Sequence, residues 1–281
     1  MRTPKFASVV LAVAVLAIAA PAAVKVIQSL WTPQPLAVDG RADEWAPESM
    51  VTEKSVDVAY GFKNDDKNLY LFFKFNDAKK YMSSIDQSGF AVWVNLEGKE
   101  KKVYGLKFYR KPVTGDELIK VLEQQGQVLD EAKKQEIKAK PQYVLFACDS
   151  MNKKGEFIPH PAGAHLSTYR SARAANAASY EFIIPLDLLG DPTTKVKIDP
   201  AKPLVLGFEW GGATPEQLQA AAARLGDQSA AANAGATSME GSMSGEGGGF
   251  NAPGGSLSSI RRQIPKKYDF WVTVQLAQKT Q

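Results

Sequence analysis

The stretch VDVAYGFKNDDKNLYLFFKF, residues 56–75, decides the fold class of this chain of 281 residues. It consists of two segments of alternating apolar residues around the polar turn KNDDKN. Successive side chains of a β-strand point to opposite faces, so every second residue lies on the same face. The apolar residues that share a face within each strand are Val56, Val58, Tyr60 and Phe62, then Leu69, Leu71, Phe73 and Phe75. The stretch therefore predicts a β-hairpin with an apolar face.

Similar segments recur along the chain, separated by clusters of Gly, Asn and Asp. They span residues 89–98, 103–110, 142–149, 179–186, 203–211 and 268–277. This pattern is typical of an antiparallel β-sandwich. A composition of 44% hydrophobic and 10% aromatic residues is sufficient for one well-packed core. We therefore predict a single all-β antiparallel sandwich over residues 36–277, followed by a short tail at 278–281.

Two insertions interrupt the strand pattern. Residues 112–141 have apolar residues at helical spacing, which predicts two short helices broken at Gly126. Residues 214–226 begin with Thr214-Pro215 and end with Gly226, which predicts a third short helix. Residues 227–259 are dominated by Gly, Ala, Ser and Met, a composition that predicts a disordered loop.

The N-terminus predicts export to the periplasm or the cell exterior. A basic start, an uncharged apolar run and small residues near Ala22 are typical of a signal peptide over residues 1–22, with a linker at 23–35. Because apolar residues continue through Val26, a retained membrane anchor is the alternative. No Cys follows the signal, so we expect no lipid anchor. The net charge is +4, or +2 without Arg2 and Lys5 of the signal, which argues against a nucleic-acid partner.

Four segments resemble the carbohydrate-binding module family 9-like and DOMON-like sandwiches. They are VDGRADEW (38–45), NLYLFFKFND (68–77), YEFIIPLDLLG (180–190) and VLGFEW (205–210). The resemblance covers roughly residues 36–277, with both insertions outside the pattern. It implies an exported module that binds a glycan or cell-surface polysaccharide.

Strand alternation also predicts a sugar site. Sugars bind to flat aromatic faces, with polar groups nearby for their hydroxyls. In residues 89–98, Trp93 and Asn95 lie opposite the apolar face, and in residues 268–277, Trp271 and Gln275 do the same. We predict that the two Trp residues form the platform and that Asn95 and Gln275 bind the hydroxyls. The alternative is that the inserted helices cover both indoles.

The sequence offers two groups of residues that are candidates for a metal site. Asp65, Asp66 and Asn68, with Asp39 and Asp43, offer the hard oxygen ligands that Ca²⁺ prefers. These residues also favour turns in the absence of any metal. The two histidines, His160 and His165, lie in a Pro-flanked segment without the spacing of a transition-metal site.

The sequence predicts a protein that is not an enzyme. The segment GSMSG at 241–245 has Met243 where a nucleophile elbow has its serine. Since the chain has only two histidines, both in one segment, few residues could serve as the base of a catalytic triad. The single cysteine, Cys148, is interpreted as a small buried hydrophobe.

Two alternatives to the carbohydrate-binding function stay open. One is an envelope module that binds a protein partner through the loop at 227–259.

The second alternative follows from the resemblance to DOMON-like domains, some of which bind b-type haem. Its candidate ligands are the residues Met82, Met151, His160 and His165. No motif in the sequence selects a pair among them.

Overall fold

A computed structural model describes residues 25–124, 126–160, 167–190, 197–213 and 266–279. Within these ranges the chain is an all-β sandwich of two sheets, which confirms the predicted fold class. The strands are β1 (Val26–Gln28), β2 (Leu30–Trp31), β3 (Val51–Glu53), β4 (Val58–Asn64), β5 (Asn68–Phe75), β6 (Phe90–Asn95), β7 (Tyr104–Val113), β8 (Tyr143–Asn152), β9 (Phe157–Ile158), β10 (Thr168–Ala174), β11 (Ala177–Pro185), β12 (Leu204–Gly211) and β13 (Lys267–Gln275). The helices are α1 (Ala78–Ser88), α2 (Gly115–Gln124) and α3 (Glu131–Lys138).

The two sheets differ in size. The seven-stranded sheet has the order β1-β13-β12-β6-β7-β8-β9, and the six-stranded sheet has the order β10-β11-β5-β4-β2, with β3 paired to β4. Their inner faces share one apolar core rich in aromatic rings. Phe73 of the smaller sheet and Phe208 of the larger one meet edge to face, with 4.8 Å between ring centroids. Such ring pairs stabilise beyond the apolar area that they bury.

The hairpin predicted over residues 56–75 is present as β4 and β5. Its strands pair antiparallel with Tyr60 opposite Phe73, and every predicted apolar residue belongs to the core. The turn between them is held by Asp65, whose side chain accepts hydrogen bonds from the backbone N–H groups of Lys67 and Asn68, both at 2.7 Å. The local sequence therefore closes the hairpin, and the apolar face fixes its register.

The motif VDGRADEW folds over the outer face of the six-stranded sheet. Trp45 stacks on Phe72, and its indole N–H donates to the buried carboxylate of Glu181 at 2.9 Å. The backbone N–H groups of Asp39 and Gly40 donate to the same carboxylate. A buried charge is tolerated where it receives several hydrogen bonds, so this motif serves the fold.

The segment predicted as a linker instead closes one side of the sandwich. β1 pairs parallel with β13 of the larger sheet, and β2 pairs parallel with β4 of the smaller sheet. Between them, the hydroxyl of Ser29 donates to Asn64 and accepts from the backbone N–H of Ala277. The prediction of a linker over 23–35 was wrong because strands of three and two residues carry no visible periodicity.

The helical insertion has the predicted form. α2 and α3 lie on either side of Gly126, which has a φ of 81° that favours glycine. The insertion contacts β8, and Tyr143 donates to the carbonyl of Ile137 at 2.9 Å. It therefore lies beside the strands β7 and β8 from which it emerges.

Helix α1 was not predicted. Asp77 caps its N-terminus by accepting the N–H of Lys80, and Gly89 ends it with a φ of 73°. Tyr81 and Ile85 enter the core, and the helix contacts β7, β11 and β12. The helix therefore contacts strands of both sheets.

Several predictions fall outside the described residues. They are the signal peptide at 1–22, the short helix at 214–226 and the disordered loop at 227–259. Within the described ranges, none of the helices has the length and apolar character that crossing a membrane requires.

Candidate functional site

The outer face of the seven-stranded sheet carries a row of aromatic residues and glycines in register. Across neighbouring strands the row reads Trp271, Gly207, Trp93, Gly105, Met151 and Phe157. A Cβ at Gly207 would lie 2.7 Å from the Trp271 ring, and one at Gly105 would lie 2.8 Å from the Trp93 ring. The indoles therefore lie against the backbone of the next strand, which only glycine permits.

The structure thus brings Trp93 and Trp271 to one face, but in different environments. Trp93 is 4% exposed and packs with Ala91 and Met151, whereas Trp271 is partly buried at the margin of this cluster. The ammonium of Lys102 lies over the Trp93 ring, 4.8 Å from its centroid. Helices α2 and α3 contact each other and β8, and no described residue of this insertion belongs to the apolar cluster around Trp93.

A cavity of about 450 Å³ opens beside Trp93. Its lining comes from the end of α1, from β6, β7, β8 and β9, from the β8–β9 turn, and from β12 with the residues that follow. The lining residues are Asp86, Gln87, Ser88, Ala91, Trp93, Lys107, Tyr109, Arg110, Met151, Gly155, Phe157, Glu209, Gly211 and Ala213. We refer to this set as the β6–β7 cavity.

Small side chains create the depression. Ala91 lies between Glu209 of β12 and Lys107 of β7 in the cross-strand register. Because alanine projects only a methyl group, the longer neighbours on both sides become walls. A Cβ at Gly89 would lie 2.8 Å from the Lys107 side chain. The aliphatic part of this lysine therefore packs directly against the backbone of Gly89.

One wall of the cavity is aromatic. Tyr109 and Phe157 stack with 6.1 Å between centroids and 26° between ring planes. Phe157 is 62% exposed, and the Tyr109 hydroxyl donates to Asp149. The hydrogen bond fixes the tyrosine ring, and the exposed phenylalanine ring offers an apolar surface to a ligand.

Charged groups occupy the opposite wall and the rim. Glu209 forms ion pairs with Lys102 and, at 3.1 Å, with Lys267. Burial raises the pKa of Glu209, but these lysines outweigh burial and hold that pKa below its usual value. On the rim, Arg110 pairs with Asp86 at 3.3 Å.

Lys107 differs from the other cations of the cavity. Among the described residues its ammonium makes no hydrogen bond and no ion pair. Burial lowers the pKa of Lys107 to about 8. The negative charge of Glu209 raises this pKa by a smaller amount, and repulsion from Lys267 and Lys102 lowers it further. At neutral pH it is therefore a mostly protonated, partly desolvated donor without a partner.

Comparison with known proteins gives a distant structural likeness. A family 9 carbohydrate-binding module from Caldicellulosiruptor kristjanssonii in complex with glucose is similar at 11% identity and a TM-score of 0.33, over 68% of this chain and 81% of that one. A module of the same family and organism in complex with cellotriose gives the same identity and TM-score, over 68% and 79%. No protein-family model and no curated protein sequence matches the chain.

Asn95 and Gln275, the predicted polar partners of the indoles, do not line the β6–β7 cavity. Asn95 is 1% exposed, donates to the carbonyl of Lys101 and accepts the N–H of Glu97 at 2.8 Å. Gln275 donates to the carbonyl of Pro200 at 2.8 Å. Both amides thus bind backbone groups, within its own turn for Asn95 and in a distant loop for Gln275. Strand alternation predicts the face of a side chain but not its partner.

The residues considered for calcium lie in the β4–β5 turn and in the motif VDGRADEW. Besides the turn N–H groups, the Asp65 carboxylate accepts the hydroxyl of Tyr70 at 2.7 Å, and Asp66 is exposed. Asp39 accepts the N–H of Arg41. No group of three or more His, Cys, Asp or Glu suited to a metal occurs in the described ranges. Calcium binding here stays a prediction.

The residues considered for haem lie in different environments. Met82 packs against the core, whereas Met151 belongs to the outer cluster with Trp93. His160 contacts the Ser150 hydroxyl through Nδ1 and the Cys148 carbonyl through Nε2, at 2.9 and 2.8 Å. His165 lies outside the described residues.

Cys148 packs against the core, and burial raises the pKa of its thiol. The structure agrees with its interpretation as a small hydrophobe, but the side chain is partly rather than fully buried.

Most residues of the cavity were not predicted from the sequence, although strand alternation indicates some of them. The alternation that places Trp93 outward also places Lys107 and Tyr109 of β7 and Glu209 of β12 on the same outer face. Phe157 lies in a strand of two residues, too short for any periodicity. Asp86 lies in the unpredicted helix α1.

Proposed function

We propose that this protein is a non-catalytic carbohydrate-binding module and that the β6–β7 cavity is its binding site. The observation that carries the proposal is the combination of a stacked aromatic wall with charged and polar groups around one concave space. Apolar C–H patches of a sugar ring pack on aromatic faces, and its hydroxyls need fixed donors and acceptors.

The cavity has the size and rigidity expected of such a site. Its volume of about 450 Å³ lies within the usual range for small-molecule sites and accommodates one or two sugar rings. Its floor consists of paired strands, so its residues need little reorganisation when a ligand enters.

The carboxylates of the cavity favour binding over hydrolysis. Glycoside hydrolysis needs one carboxylic acid that stays protonated near neutral pH, beside a second carboxylate. The pKa of Glu209 is held below its usual value, and Asp86 is paired with Arg110. The Ser150–His160 contact does not supply a nucleophile, because Ser150 is fully buried and its hydroxyl also bonds Tyr104.

We further propose that the module is exported from the cell. A signal peptide over residues 1–22 would deliver the module to the periplasm or the cell exterior, where polysaccharides are accessible. A mature chain that begins near Ala23 would retain the strands β1 and β2, which the fold uses. The mass of the protein recovered from the periplasm or medium tests this step.

Affinity electrophoresis in gels that contain soluble polysaccharides tests the proposed function. The variants Phe157→Ala and Tyr109→Ala should lose retardation, while Tyr109→Phe should keep most of it because the ring remains. Val128→Ala, at a side chain 99% exposed in the helical insertion, is the control. Retardation that is equal in all variants would contradict this site.

Trp271→Ala separates the cavity from the wider platform. Trp271 shares the face but does not line the cavity, so we expect little change in retardation. Loss with Trp271→Ala alone would move the site toward β13. No retardation of the wild-type chain in any gel would contradict carbohydrate binding.

A further inference from the structure

The cavity contains a cation, Lys107, that forms no ion pair with any of the described residues. Lys107 rises from the middle of β7, and its stem is packed over Gly89. The other cations in or near the cavity have anionic partners. Arg110 of the lining pairs with Asp86, and the neighbouring Lys102 and Lys267 pair with Glu209. The described residues offer Lys107 no such partner.

An unpaired and partly buried ammonium is unfavourable for folding, because its lost hydration is not replaced. Burial lowers the pKa of Lys107 to about 8, which is consistent with that loss. An anionic group of a ligand would restore a charge-assisted hydrogen bond in a place where water screens it weakly. A neutral sugar would supply only hydroxyls.

The surroundings restrict what that anion can be. The aromatic wall of Tyr109 and Phe157 needs an apolar ring face, so the anion must be carried on a ring. Asp86 and Glu209 also line the cavity and would repel a densely charged ligand. One carboxylate per sugar ring satisfies both conditions better than several sulfate groups.

We propose that the β6–β7 cavity binds a polysaccharide that contains uronic acid, with the sugar carboxylate on the Lys107 ammonium and the sugar ring against Tyr109 and Phe157. This inference rests on the proposed carbohydrate-binding function and names its ligand class.

The test compares acidic polymers with their neutral esters in affinity gels. Polygalacturonate and alginate are each run beside their methyl esters, with dextran sulfate and dextran as a second charged and neutral pair. We expect at least one uronate to be retained about tenfold more strongly than its ester, and dextran sulfate to show no comparable gain.

Substitutions at two positions on the same face of β7 make the test specific. Lys107→Met should reduce the ratio of uronate to ester affinity to about one, and Lys107→Arg should restore part of it. Lys111→Met removes an exposed lysine that does not line the cavity and should leave the ratio unchanged. Thermal unfolding of each variant verifies that it folds.

The outcomes separate the two proposals. Equal affinity for uronate and ester, a preference that survives Lys107→Met, or an equal gain with dextran sulfate would overturn the uronate assignment while carbohydrate binding stands. No retention of any neutral or acidic polymer would overturn carbohydrate binding and, with it, the ligand class.

Discussion

At the scale of single residues, Lys107 is suited to binding a ligand but is unfavourable for the stability of the fold. Its neighbours on the outer face are Glu209 across Ala91, and Asp149 on β8. Asp149 accepts the Tyr109 hydroxyl, and Glu209 already holds two lysines. Lys107 is therefore left partly desolvated, which destabilises its charged form. A residue in this state is more readily explained by binding than by stability.

Replacing Lys107 with Met should stabilise the folded chain at pH 7 by about 1–3 kcal/mol, because a desolvated charge is exchanged for an apolar side chain. The folded-state pKa of about 8 lies below the usual lysine pKa of 10.5, so the wild-type chain gains stability as pH rises from 8 toward 10.5. The advantage of the variant should shrink over that range.

Denaturant unfolding of both chains at several pH values measures this difference. Lys111→Met is the control, since an exposed lysine should change the free energy of unfolding by less than about 0.5 kcal/mol. A variant less stable than the wild type at pH 7 would show that Lys107 has a partner that stabilises it.

At the scale of elements, α1 connects the core to the cavity. Tyr81 and Ile85 anchor it in the core, and its last turn supplies Asp86 and Ser88 to the cavity wall. The Ser88 hydroxyl also accepts the N–H of Gly211 at 2.7 Å. The end of the helix is thereby held against β12, so the cavity wall depends on the stability of α1.

The N-caps of α1 and α3 should therefore contribute differently to stability. Asp77 caps α1 and Asp130 caps α3 by the same kind of hydrogen bond. Asp77→Ala should lower the free energy of global unfolding by about 1 kcal/mol. Asp130→Ala should instead speed hydrogen exchange in α3 alone, because α3 packs mainly on α2. Equal effects on global unfolding would contradict this division.

Helix α1 could have been predicted from the sequence. Asp77, the apolar residues Ala78, Tyr81 and Ile85 at helical spacing, and Gly89 form a complete helix signal. Most of the longer strands were predicted, because an apolar face needs only alternation. The exception is β10, whose sequence TYRSARA has little apolar alternation. The strands β1 and β2 pair with partners distant in the chain, and β9 has only two residues, so none of these three has a visible period.

The candidate site, like the fold, could be predicted only in part from the sequence. Alternation correctly places Trp93 and Trp271 on one outer face. It does not show that Ala91 creates a cavity beside one of them, nor that the Asn95 amide is held by its own turn. Both depend on the sizes and positions of neighbours in three dimensions.

At the scale of the whole molecule, the N-terminal segment joins the two sheets. β1 extends the larger sheet and β2 the smaller one, and Ser29 bonds to Asn64 and Ala277 between them. Ile27 packs against the core. The first residues of the domain therefore protect edges of both sheets from pairing with other chains.

A chain that begins at Thr32 should be less stable than one that begins at Ala23 by roughly 2–4 kcal/mol, from several lost hydrogen bonds of about 1 kcal/mol each. It should also aggregate more readily, because the edges of β13 and β4 are exposed. Thermal unfolding and light scattering measure both effects. Equal melting temperatures would show that the segment is a linker after all.

The central claim, that a sugar enters the β6–β7 cavity, is tested most directly by NMR of chains labelled at the methionine methyl groups. Met151 lines the cavity, whereas Met82 packs against the core and serves as an internal control. Titration with neutral and uronic-acid oligosaccharides should shift the Met151 signal in a saturable manner and leave Met82 unchanged. A saturable shift of other methionines with Met151 unmoved, or no shift with any oligosaccharide, would contradict it.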